Sequence, residues 1–69
     1  RSSDLHGIKL AMLGDLYADN NIAKEACPLY AEAEKIFADL DGRGLLSQLD
    51  RDSSLRMIKE RQQQQKCSA

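Results

Sequence analysis

His6, Cys27 and Cys67 are the side chains of this 69-residue chain best suited to nucleophilic or metal chemistry. A nucleophile needs a base within hydrogen-bond reach and a third group to orient that base, and nothing arranged around His6 in the sequence supplies such a set. A structural or catalytic metal site needs ligands at paired short spacing, which His6 with Cys27 or Cys67 does not offer. No metal, no cofactor and no catalytic residue is therefore expected, and the chain reads as a non-enzyme. Gly42 and Gly44 are too short a run to cradle a phosphate, and a turn explains them. Cys27 beside Pro28 would gain thiolate character if it lay at a helix start. The plainer role is that of a small buried residue. Asp15 and Asp19 stand one helical step apart, and a solvated helix face accounts for that pair.

These residues must be positioned by helices. From Asp4 to Ala18 the large apolar residues Leu5, Ile8, Leu10, Leu13 and Tyr17, with small Ala11, Gly14 and Ala18 between them, predict a first helix with one apolar face, capped by Ser2, Ser3 or Asp4. Asp19, Asn20 and Asn21 compete with helix through their short polar side chains, so the chain turns there. A second helix follows from Ile22 or Ala23 to Leu40, with Ala26, Tyr30, Ala33 and Phe37 on one stripe and charged residues mostly opposite. Pro28 fits it without strain only in the first turn; a start near Ile22 requires a kink or an irregular turn. The stretch 41–44, Asp-Gly-Arg-Gly, ends the helix. Beyond it a break is expected around Asp50 to Ser54. Asp52, Ser53 or Ser54 then caps a final helix to about Gln65, frayed from Gln62 onward.

Chains this short bury only about 60% of the surface that their unfolded form exposes, so a partner or more chain is expected. The first residue is Arg rather than Met, which reads as a piece of something longer. Hydrophobic residues make up 42% and charged ones 30%, a water-soluble, helix-forming mixture without Trp. Residues 1 to 49 carry five Lys/Arg against eight Asp/Glu, and residues 50 to 69 carry five against three. Cations diluted by acids and glutamines make a solvated face rather than a phosphate-binding stripe, which argues against nucleic acid. No apolar run approaches the roughly 20 residues of a membrane span. Two distant cysteines outside any disulfide-dense framework point to a reducing, cytoplasmic setting, although one long-range bridge is compatible with the sequence.

The order Leu10, Leu13-Gly14, Tyr17, Ala26, Tyr30, Ala33 resembles the tetratricopeptide repeat, a helix–turn–helix unit whose small residues let two helices approach closely. "EACPLYAEAEKIF" is similar to the second helices of its kinesin-light-chain-like branch, which carry proline at the place of Pro28. The likeness covers one repeat, about residues 7–40. It implies an all-α fold: a tetratricopeptide-like antiparallel hairpin over 1–41 plus one or two C-terminal helices over 42–69, a cap with a Gln-rich tail. Leu10, Leu13, Gly14, Tyr17, Ala26, Tyr30, Ala33 and Phe37 would form its framework. First helices of that family line a groove, which on this chain implies Ile8, Ala11, Asp15 and Ala18 as partner-binding positions, with Asp15 facing a basic or polar segment. The function implied is a non-catalytic protein-interaction module that binds a protein, a peptide or neighbouring repeats. Two other readings are a docking or regulatory segment of an enzyme or multi-subunit machine, and a homo-oligomer built on Leu45, Leu46, Leu49, Leu55 and Ile58.

Overall fold

A computed structural model describes residues 2–44 and 51–67. The described chain is all-α. Helix α1 spans Ser2–Asp19 and packs antiparallel on α2, Ala23–Gly42; a π-helical turn, Arg51–Leu55, runs directly into α3, Arg56–Gln64. Leu45, Leu46, Leu49 and Asp50 lie outside the described residues.

The turn between α1 and α2 forms where the three polar residues place it. Asn21 takes a positive φ of 61°, a dihedral that Asn tolerates better than most residues. The Ile22 N–H then reaches back to the Tyr17 carbonyl at 2.8 Å and the Asn21 N–H to that of Ala18 at 3.0 Å. That pair of bonds is a Schellman closure, which satisfies the orphan carbonyls of α1. The Asn20 side chain adds a bond to the Leu16 carbonyl.

Helix α1 begins at Ser2, two residues before the expected start, so Ser3 and Asp4 lie inside it rather than at its cap. Helix α2 begins at Ala23 without a side-chain cap, which puts Pro28 inside the helix rather than in its first turn. Glu25 and Ala26 both donate to the Ile22 carbonyl, at 3.1 and 3.0 Å, which tightens the opening turn. The bond that Pro28 cannot make would have gone to the Lys24 carbonyl, and both residues lie on the exposed side of the helix. The helix continues two residues past Leu40 and closes through the Gly44 N–H on the Asp41 carbonyl, with Gly44 at φ 71°.

Packing of the pair is asymmetric. The inward face of α1 is small throughout: Gly7, Ala11 and Gly14 are buried and Ala18 partly so. Against it α2 sets the large side chains Tyr30, Phe37 and Leu40 with Ala26 and Ala33 between them, all buried. A Cβ built on Gly14 would lie 2.8 Å from Cε1 of Tyr30, and one on Gly7 3.1 Å from the Phe37 ring. Gly14→Ala gains about 1 kcal/mol of helix propensity but collides with a ring that is itself fully buried. Overpacking costs about 1–3 kcal/mol, so Gly14→Ala and, more strongly, Gly14→Leu lower the urea midpoint. Gly42→Ala, with nothing within 4 Å, serves as the control that does not.

The C-terminal segment departs from its expected form. The N-cap position of α3 falls on Leu55, already helical at φ −69° and ψ −39°, so none of Asp52, Ser53 and Ser54 caps it. The π-helical turn supplies the helix entry instead. Fraying from Gln62 is also replaced. Gln62 donates to Glu34 at 3.1 Å, and the helix closes at Lys66, φ 57°, with the Cys67 N–H on the Gln62 carbonyl at 2.8 Å. That turn delivers Cys67 to Cys27 at the start of α2, and the two form a disulfide. The cysteines are therefore not two separate thiols; the closed turn after α3 holds the tail that polar composition alone would leave loose.

Candidate functional site

Two surfaces of the hairpin carry functional information. The first is the outward face of α1. Leu5, Ile8, Met12 and Leu16 recur at three- and four-residue steps along it, between 43% and 61% exposed, with Leu13 and Ile22 exposed beside them. Because the inward face is built from glycine and alanine, every large aliphatic residue of α1 except the partly buried Leu10 is pushed outward. Leu13, expected in the core, is 42% exposed for that reason. Helix α1 thus carries apolar side chains on both its buried and its exposed face. The outer side of α2 shows no such feature; Lys24, Glu25, Glu32, Lys35 and Asp39 occupy it.

At its N-terminal end the stripe adjoins an open recess of about 660 Å³ between α1 and the last turns of α2. Leu5, Ile36 and Leu40 give it apolar walls, and the polar side chains His6, Lys9 and Lys35 stand around them. Asp39, also at this recess, is engaged by Arg43 at 3.3 Å, an exposed i,i+4 pair of small energetic weight.

The second surface is the one that carries Ala11, Asp15 and Ala18, and the C-terminal segment lies over it. Ala11 is 3% exposed, and Ala18, Leu55 and Met57 pack against a core cluster that includes Ile58. Asp15 is half-buried, and its Oδ1 accepts two hydrogen bonds, from the Tyr30 hydroxyl at 2.5 Å and from Arg61 Nε at 3.0 Å. Of the four groove positions only Ile8 is exposed, and it belongs to the outward stripe. The place opposite Asp15, expected for a basic or polar segment of a partner, is taken in this chain by Arg61 of its own α3. Ile58 is fully buried here and Leu55 partly, which removes Ile58 from any surface that a second copy could use.

Burial drives the Tyr30 hydroxyl well above the ordinary tyrosine value of 10.0, and its hydrogen bond to the Asp15 carboxylate pushes it further in the same direction. It is a proton donor locked in place rather than a titrating group near neutrality. Among the described residues no three His, Cys, Asp or Glu side chains gather as metal ligands would. No described helix is long and apolar enough to cross a membrane.

Sequence reasoning missed Met12 and Leu16, Gly7, Arg61 and the Gln62–Glu34 contact. The first two were legible as a stripe with Leu5 and Ile8, at positions 5, 8, 12 and 16. Gly7 was legible too, as the residue one heptad before Gly14 on the same face. Nothing local marks Arg61, because its partner is 46 residues away. No protein-family model, curated protein or solved structure matches the chain.

Proposed function

We propose that this chain is a non-catalytic protein-interaction module that docks on a helix of a partner, or of an adjoining repeat, through the outward face of α1. One observation carries the reading: the exposed row Leu5, Ile8, Met12 and Leu16 on a helix whose other face is already buried. Rows of exposed aliphatic side chains at helical spacing match helix-to-helix docking, in which such residues serve as anchors. The polar outer side of α2 gives the module one sticky side, as an end unit of a stack would have. Close packing of Gly14 on Tyr30 supports the tetratricopeptide-type reading of the hairpin, and the recess with Lys9 and Lys35 favours a partner with an acidic group beside its apolar anchors. The disulfide weighs toward an oxidising compartment as the place where this form works, rather than the reducing cytoplasm.

The test is a photo-crosslinking side chain at position 12 of the protein in its native host, with mass spectrometry of the adducts. The same adducts should vanish when Leu16→Lys and Ile8→Glu are introduced and circular dichroism is unchanged. Adducts that survive those changes would defeat the reading, and so would loss of the fold, since the row would then be core. Adducts consisting only of a second copy of the chain would replace it with self-association.

A further inference from the structure

We propose that the Cys27–Cys67 disulfide is a redox latch that holds α3 in a helix seat on the α1/α2 hairpin, and that reduction by a dithiol opens this seat to an amphipathic helix of the same pattern supplied in trans. The seat is a different face from the outward stripe of α1, so the inference stands apart from the docking reading above.

The seat has a defined chemistry. Ile58, with no exposure at all, joins one buried cluster with Ala11, Ala26, Tyr30, Ala33 and Phe37, in which three of the hairpin's residues are alanines that leave room for a branched side chain. One turn further along α3, Arg61 meets Asp15 at 3.0 Å, and the next residue, Gln62, meets Glu34. The seat therefore reads a helix as a branched aliphatic residue, then Arg three positions on, then an amide. A carboxylate shared between a buried tyrosine hydroxyl and an arginine fixes the register of that helix, because sliding by one residue removes both the cation and the apolar plug.

The latch follows from what holds α3 there. Helix α3 has nine residues, too few to stand alone, and Ile58 is its one fully buried side chain. The covalent tie sits at its far end, after the Lys66 turn. Both cysteines are only half-buried, so a thiolate can approach the bond. The chemistry is thiol–disulfide exchange: one thiolate of the dithiol attacks a cysteine sulfur and the other cysteine leaves as thiolate; the second thiol of the reductant then attacks the reductant's own sulfur in that mixed disulfide and expels the attacked cysteine. Two electrons and two protons pass to the cysteines, and the reductant departs as its own disulfide. Once the bond is open, Ile58 and Arg61 are what favours α3 in its seat, and any helix that offers the same groups competes with them.

The experiment uses the full chain with Ile58→Asp, which removes the apolar plug and leaves the disulfide as what keeps the chain's own helix over the seat, in disulfide-bonded and in dithiothreitol-reduced form. The probe is a fluorescent peptide of residues 51–67 carrying Cys67→Ser, followed by anisotropy. The reduced chain should bind it at least tenfold more tightly than the disulfide-bonded chain does. Peptides with Ile58→Asp or Arg61→Glu should lose most of that binding, and hydrogen exchange of α2 amides in the reduced chain should slow when the unmodified peptide is added. Equal binding to both redox forms would overturn the proposal. Failure of the reduced chain to bind, including a chain that unfolds and is not rescued by the peptide, would do so as well, and would leave the bond as a plain structural crosslink.

Discussion

Tyr30→Ala lowers the stability of the folded chain by about 3–5 kcal/mol, the range found for removing a large aromatic side chain from a core. The ring is fully buried, lies against Gly14 at a distance that admits no Cβ, and reaches with its hydroxyl to Asp15. On the α1 side the ring meets Gly14, which has no side chain to move into the cavity. Tyr30→Phe separates the two contributions: it keeps the ring and removes one hydrogen bond, for a loss of about 1 kcal/mol, while Asp15 retains Arg61. The hydroxyl also sets an alkaline limit. Its pKa in the folded chain is raised above the 10.0 of the unfolded one, first by burial and then by the Asp15 carboxylate. The folded state thus keeps a proton that the unfolded state releases as pH rises past 10, so this contribution is complete below that pH and declines above it. Urea midpoints at pH 8 and pH 10.5 should fall more steeply for the wild type than for Tyr30→Phe. Parallel slopes would show that Tyr30 is not the buried donor described here.

How far the fold was legible depends on how local its causes are. The two helices of the hairpin and their turn follow from periodicity and from Asn20 and Asn21, and they form as expected, with ends displaced by one or two residues. The small-residue crossing at Gly14 and the stripe Ala26, Tyr30, Ala33, Phe37 were equally readable, because both are fixed by spacing along one helix. The sidedness of α1 was not. Periodicity suggests one apolar face that includes Leu5, Ile8 and Leu13, but apolar residues occur all around that helix, and the buried face was decided by the rings of Tyr30 and Phe37, which Gly14 and Gly7 admit. That choice exposed Leu13 and created the outward row. The site under α3 was less readable still, since Asp15–Arg61 and Cys27–Cys67 join positions 46 and 40 residues apart, and neither spacing carries a local signature.

Cys27→Ser with Cys67→Ser should cost about 4 kcal/mol, the chain-entropy value for opening a loop of this length, here one with ends 40 residues apart. The magnitude matters because a single core in a chain of this size rarely supplies more than about 3–5 kcal/mol in total. The loss is thus comparable with everything the core provides, and the double-serine chain should show a urea midpoint close to zero or a strongly reduced helical signal at 25 °C. The noncovalent contacts of α3 do not compensate: Asp15–Arg61 is about one-third exposed on both sides, where an ion pair contributes little, and Ile58 is its one fully buried side chain. A partner that seats a helix on the reduced hairpin would then supply folding energy as well as contact, by linkage between binding and folding. The outcome is read by comparing oxidised, reduced and double-serine chains in urea. Reduced and double-serine chains should coincide and both lie far below the oxidised one; three superimposable curves would mean that packing of α3, and not its covalent tie, holds the C-terminal segment on the hairpin.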